Sequence, residues 1–142
     1  MKKVEFTVYG VPRGKQRPRV VKINGFSRAF TPKETVQFEN LVKIEYGIQT
    51  DNFMFDDDAQ LEMRIIAYFP IPKSVSKKVR EKMLSGEIRH TKKSDADNVA
   101  KIFADALLNV AYHDDNHICI LHVEKWYSDQ PRTEVTISEV CE

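Results

Sequence analysis

The chain has 142 residues, 42% hydrophobic and 30% charged, with a formal net charge of +1. That length suits one domain, the balance excludes wholesale disorder, and no apolar run approaches the roughly 20 residues of a membrane-spanning helix. Two cysteines, Cys119 and Cys141, far apart and without a CxxC pair, argue against a zinc ribbon and fit a reducing cytoplasm.

The chain opens on Val4–Tyr9, whose apolar/polar alternation predicts a half-buried strand rather than a secretory signal. Residues 10–19 follow as a glycine- and proline-interrupted loop carrying Arg13, Lys15, Arg17 and Arg19. Val20–Ile23 and Phe26–Phe30 flank Asn24-Gly25, the pair that best accepts the two positive φ values of a type I′ hairpin turn. Thr31-Pro32-Lys33-Glu34 predicts a helix start, with Thr31 capping and Glu34 completing a capping box. Phe38, Leu41, Val42 and Tyr46 then extend that helix over about 32–47. Leu61 to Phe69 alternates as a central strand ended by Pro70 and Pro72, and Ser74–Ser85 reads as a short basic helix closed by Gly86. Val99, Ile102, Phe103, Ala106 and Val110 lie on one face of a helix expected from Asp95 to about Asn109. Strands over 117–127 and 133–140 finish the chain. The expected fold is a single mixed α/β (α+β) domain over residues 1–142, mostly sheet with about three helices.

The net charge conceals blocks. Residues 1–50 carry 10 basic and 4 acidic side chains, 51–70 carry 1 and 5, 71–101 carry 9 and 4, and 102–142 carry 2 and 8. Such a dipolar arrangement suits a protein that attracts a polyanion with one surface and keeps carboxylates for another task, although charge blocks also solvate ordinary faces. The carboxylates concentrate in Ser94-Asp95-Ala96-Asp97-Asn98-Val99-Ala100-Lys101 and in Asp114-Asp115 beyond the helix. Asp95 and Asp97 bracket the helix start and Lys101 stands one turn after Asp97. If the strand from Ile118 runs beside the helix start, Asp115 joins them. Hard oxygen ligands of this kind recruit Mg²⁺, which activates water and neutralises charge in phosphodiester hydrolysis, while a lysine stabilises the charge that develops. The competing reading is structural: aspartate caps helices, Asp97/Lys101 is an ordinary i,i+4 pair, and Asp114-Asp115-Asn116 makes a turn.

The run His90-Thr91-Lys92-Lys93-Ser94-Asp95-Ala96-Asp97-Asn98-Val99-Ala100-Lys101, continuing to Asp114-Asp115, resembles the Asp-x-Asp-Asn-x-x-Lys signature of the RusA family of Holliday junction resolvases, which are often carried by phages and prophages. Gly14-Lys15-Gln16-Arg17-Pro18-Arg19 is similar to the basic opening of many members. Ser94 departs from the pattern, standing where relatives often have proline or another residue before the first Asp. The resemblance implies a RusA-like fold in a cytoplasmic homodimer that binds four-way DNA and cuts two opposing strands with Mg²⁺, for which Mn²⁺ substitutes. It makes Asp95, Asp97 and Asp115 metal-binding catalytic carboxylates, Asp114 the adjacent candidate ligand and Lys101 the essential lysine. The basic residues Arg13, Lys15, Arg17, Arg19, Lys92 and Lys93 would then neutralise DNA phosphates.

Three readings compete: a junction resolvase, a nuclease of the same fold acting on flaps or forks, and a non-catalytic DNA-binding dimer whose aspartates only cap the helix. His90 is a DNA-contact candidate set against a surface histidine. Cys119 is expected as a core thiol, Trp126 and Tyr127 as packing residues, and Phe53 and Phe55 as either a dimer patch or core. Asp56-Asp57-Asp58 lacks the spacing and glycine of a calcium loop and reads as a solvated turn.

Overall fold

The computed structural model describes residues 2–140. Six strands and three helices run in the order β1 (Lys3–Tyr9), β2 (Arg19–Ile23), β3 (Phe26–Phe30), α1 (Lys33–Thr50), β4 (Leu61–Pro70), α2 (Lys77–Leu84), α3 (Ala96–Ala106), β5 (Ile118–Ser128) and β6 (Arg132–Glu139), with one 3₁₀ turn at Asp115–His117 before β5. The expected mixed α+β fold is the one observed. Four strands form one sheet in the order β1-β6-β4-β5, and β2 and β3 form a separate two-stranded sheet. β6 pairs antiparallel with both β1 and β4, whereas β5 pairs parallel with β4.

β4 occupies the interior because its alternation is strict. Leu61, Met63, Ile65 and Ala67 are fully buried and Phe69 nearly so, while Arg64 and its alternates face the other way. Burying Leu61, Met63, Ile65 or Phe69 stabilises by roughly 1.5–3 kcal/mol each. The helices close over this face. Phe6 meets Tyr46 edge-on at 5.3 Å, joining β1 to α1, and Phe38 meets Phe103 in the same way at 5.7 Å, joining α1 to α3. Phe55 belongs to this core and Phe53 packs against it, ring to ring, so the pair is core rather than an exposed patch.

Local chemistry moves several boundaries. The type I′ turn forms as expected, with φ of 51° at Asn24 and 81° at Gly25. The capping box does not. α1 begins at Lys33 with Pro32 as its cap and no side-chain capping bond, which leaves Thr31 outside and Glu34 too early to complete the box. The residue before a proline is forced extended, and Pro32 itself is extended (ψ 145°). α1 runs on to Thr50, where Asp51 and Asn52 turn left-handed. α2 starts only at Lys77, because the Ser76 hydroxyl accepts the Val79 N–H. α3 stops at Ala106 instead of reaching Asn109, which adopts φ 62° and donates its N–H to the Tyr112 carbonyl. Gly86 is required where it stands, since its φ is +84° and a Cβ there would sit 2.5 Å from the Trp126 ring.

Cys119 is exposed, not a core thiol. It falls at the register shift between the pairs Leu61↔Ile118 and Glu62↔Ile120, where a bulge turns it out of the alternation. Cys141 lies outside the described residues. His90 is neither a surface nor a DNA-facing histidine: it is 8% exposed, stacked on Phe69 with ring centroids 3.6 Å apart and edge-on to Tyr127. Burial, with the Lys125 ammonium nearby, lowers its pKa to about 4.

That burial has a pH consequence. The folded imidazole resists protonation while the unfolded one titrates near 6.5, so the unfolded state takes up the proton first. Stability is complete above pH 6.5 and falls as pH drops toward 4, by up to about 3 kcal/mol. In denaturant melts across that window the protein should lose more stability than His90→Leu as pH falls; parallel curves would remove His90 as the cause.

Candidate active site

The site is built on the first turn of α3. Asp95 caps it, one carboxylate oxygen accepting the Asn98 N–H at 3.0 Å. An acidic cap also complements the positive end of the helix dipole. The loop leading in, residues 92–94, is fixed from beneath by Lys125 of β5, whose ammonium donates to the carbonyls of Lys92 (2.8 Å) and Ser94 (2.7 Å). Burial pushes the Lys125 pKa down, opposed by the Asp95 carboxylate.

On one side of this turn lies a groove of about 740 Å³. Arg13, Lys15, Arg17, Arg19, Lys93 and Asp95 all line it. The basic loop reaches it because it lies directly on the α3 start: Lys15 N–H bonds the Asn98 carbonyl at 2.8 Å, and a Cβ on Gly14 would fall 2.7 Å from that of Ser94. The Lys15 ammonium does not face solvent for a ligand. It bridges Glu39 of α1 at 3.0 Å and Asp105 of α3 at 3.2 Å. Burial works against its charge, but the hydrogen bonds to Glu39 and Asp105 outweigh that and raise its pKa. Lys15 is therefore an internal clamp, and Arg13, Arg17, Arg19 and Lys93 are the cations left to the groove. Lys92 is exposed but does not line it.

On the other side lies a second cleft of about 560 Å³, walled by Ala96, Ala100 and Ala104 of α3 and by Ile118, Leu121 and Val123. Asp97, Lys101 and Asp115 line it together. The two aspartates and the lysine take part in none of the ion pairs of the described residues. Three residues before Asp115, the Tyr112 hydroxyl donates to the Ala104 carbonyl at 2.7 Å and ties the chain after α3 back to the helix. The Tyr112 phenol is pushed well above its ordinary pKa by burial and by the Asp115 and Asp105 charges. Asp114 does not line the cleft; its carboxylate accepts the Asn116 N–H at 2.9 Å and so starts the 3₁₀ turn.

The expected convergence of all the carboxylates on one point is not found. Among the described residues, no three His, Cys, Asp or Glu side chains lie close enough to share an ion. The reason is the strand direction. The end of β5, at Lys125, meets the α3 start, whereas the residues preceding β5 sit beside later turns of the helix. Asp97 and Asp115 face one cleft, and Asp95 faces the neighbouring groove. A signal for Lys125 existed in the sequence: Leu121, Val123 and Tyr127 share its sheet face, opposite Met63, Ile65 and Phe69, and a single lysine in such a row needs partners.

Comparison with known proteins decides the family. The model of the family described as endodeoxyribonuclease RusA matches residues 10–138. The chain belongs to the RusA family. It is thus an endodeoxyribonuclease, of the family that resolves Holliday junctions, and no helix among its described residues is long and apolar enough to cross a membrane. This RusA chain is also 37% identical over 139 residues to a Bacillus subtilis (strain 168) protein described as uncharacterized protein YqaN, with 96% of each chain covered.

The Lys125 contacts yield a direct test in this RusA enzyme. Two hydrogen bonds from a charged donor are worth about 1.5–3 kcal/mol each. Lys125→Met should therefore raise amide hydrogen exchange over residues 92–98 by about tenfold or more while the β4 amides stay protected. Unchanged exchange at those positions would show that Lys125 does not hold the loop.

Proposed function

We propose that the enzyme cuts branched DNA, four-way junctions above all, as a homodimer that makes paired nicks with a divalent cation, in the cytoplasm of a bacterial or phage-infected cell. The observation that carries this reading is the placement of Asp97, Lys101 and Asp115 in one cleft, one helical turn away from a cation-lined groove.

The donor set of the cleft fits a hard cation. It offers carboxylate oxygens and no sulfur or imidazole, and Mg²⁺ characteristically takes one or two carboxylates and keeps its remaining waters. Asp97 and Asp115 would hold a Mg²⁺ or Mn²⁺ ion, which would supply an activated water and neutralise phosphate charge. Lys101, which makes no ion pair among the described residues and faces the same cleft, would donate to a phosphoryl oxygen as negative charge grows there. Arg13, Arg17, Arg19 and Lys93 hold the flanking phosphates without reading sequence. Asp95, at the groove rim, is the third carboxylate of the reading; one of its oxygens is committed to the helix cap. A second copy is supported by Leu41, Ile44 and Ile48, which are exposed at helical spacing along α1.

Cleavage of a synthetic four-way junction with and without Mg²⁺ tests the reading. Asp97→Asn should lower the cutting rate by at least about a hundredfold and leave junction affinity equal or higher, because a charge repelling phosphate is gone. Lys101→Ala should lose turnover similarly. Asp95→Asn keeps the helix cap, since asparagine caps as well as aspartate, so loss of cutting in that variant reports chemistry rather than folding. Near-normal rates in the three variants, or cutting without a divalent ion, would overturn the assignment. Cuts confined to flaps would instead move the substrate.

The groove makes a separate prediction. Arg17→Ala with Arg19→Ala should weaken junction binding and shrink the slope of log affinity against log salt by about 1.8, at about 0.9 for each phosphate that is no longer neutralised. An unchanged slope would take the loop out of the interface.

A further inference from the structure

The β2–β3 hairpin stands away from the core of its own chain. All ten residues of its two strands are exposed, and among the described residues the strands pair only with each other. An isolated two-stranded ribbon is marginal in water, and this one is not polar. Its register sets Arg19 against Phe30, Val21 against Arg28 and Ile23 against Phe26, so these six side chains share a face. Phe26, beside the turn, is 78% exposed, and Ile23 opposite it is 51% exposed. A contiguous apolar surface of this kind marks a docking face.

Charge selects the occupant. From Gly10 to Lys33 the chain carries seven lysines and arginines and not one acidic residue. Symmetric pairing of this face with that of a second copy would set Arg19 and Arg28 against the same two cations. A polyanion removes that repulsion. The hairpin is also continuous with the groove, because Arg19 begins β2 and lines the groove beside Arg17. The apolar tip narrows the choice further. An intact duplex offers phosphates and base edges but buries the base faces. Those faces become available where the stack is interrupted, and apolar side chains wedge against them at such steps.

We propose that the β2–β3 hairpin is a DNA-probing arm: Arg19 and Arg28 lie on phosphates, and Phe26 with Ile23 covers an unstacked base face at the branch point. The arm rests on the branched-DNA reading above and deepens it by giving selectivity for branches to a segment outside the cleft. A branch presents its base faces without the unstacking cost that a continuous duplex imposes, so the tip favours junctions over linear DNA.

The test measures equilibrium binding in EDTA to a four-way junction and to a linear duplex of the same sequence, for the full-length protein and for Phe26→Ala. Because Phe26 lies outside the core, the variant folds normally. The arm predicts that Phe26→Ala loses about tenfold in junction affinity and stays within about twofold on the duplex. With 2-aminopurine at the branch, fluorescence should rise on binding of the unaltered protein and not of the variant. An unaltered protein that prefers junctions, beside a variant with the same preference, overturns the arm alone. A variant that becomes monomeric with its DNA preference intact overturns it in favour of a contact between copies. An unaltered protein that neither prefers nor cuts branched DNA defeats the branched-DNA reading and takes the arm with it.

Discussion

A parallel strand pair cannot be closed by a tight turn. β4 and β5 lie side by side and point the same way, so the chain leaving Pro70 must travel back the length of the sheet before it re-enters, which takes a dozen residues or more and in practice a helix. Here the crossover comprises α2, the loop through Ser94, α3 and the 3₁₀ turn, and it contains all the carboxylates of the site. The geometry of the site follows from this requirement. The helix start must be pinned to the sheet, which Lys125 does through the Lys92 and Ser94 carbonyls. Its end must be reversed, which Tyr112 does through the Ala104 carbonyl. Asp95 and Asp97 depend on the first anchor and Asp115 on the second.

The same crossover separates charges that would otherwise compete. Carboxylates brought together repel one another, and carboxylates beside a phosphate-binding surface weaken it. One turn of α3 stands between the cation-lined groove and the cleft of Asp97 and Asp115. Two acidic residues are withdrawn altogether, because Glu39 and Asp105 spend their charge on Lys15. That ammonium is only one-fifth exposed and holds the basic loop to α1 and α3 at once, so the loop is presented to the groove as a fixed edge. One of its four cations acts as the fastening and three line the groove.

Much of this was legible in the sequence, and the reasons are local. Asn24-Gly25 accepts two positive φ values wherever it occurs, and the alternation of Leu61 to Phe69 admits one buried face. The Asp-x-Asp-Asn-x-x-Lys run, combined with Asp114-Asp115 one helix later, pointed to the family whose model the chain matches. What failed to read out was decided by contacts distant in sequence. Thr31 has the composition of a capping residue, but the helix starts after Pro32 and leaves it unused. His90 opens a basic run and suggests a surface, yet Phe69 and Tyr127 enclose it. Whether Asp115 meets Asp95 or lies further along α3 depends on the direction of β5 relative to the helix, and no spacing encodes that.

The hairpin and the cleft lie at opposite ends of what local sequence determines. Residues 19–30 form their ribbon from turn chemistry and alternation alone, then expose the whole of it. Residues 95–115 need the entire sheet to bring Asp97 and Asp115 to one cleft, and then leave both without an ion-pair partner among the described residues. Each segment has surface left unmatched by the other described residues: apolar and cationic in the hairpin, anionic in the cleft. On the proposed reading, a branched polyanion with exposed base faces would complement the first and a hard cation the second. Because the groove of Arg17 and Arg19 runs between them, a single DNA strand crossing it would engage both.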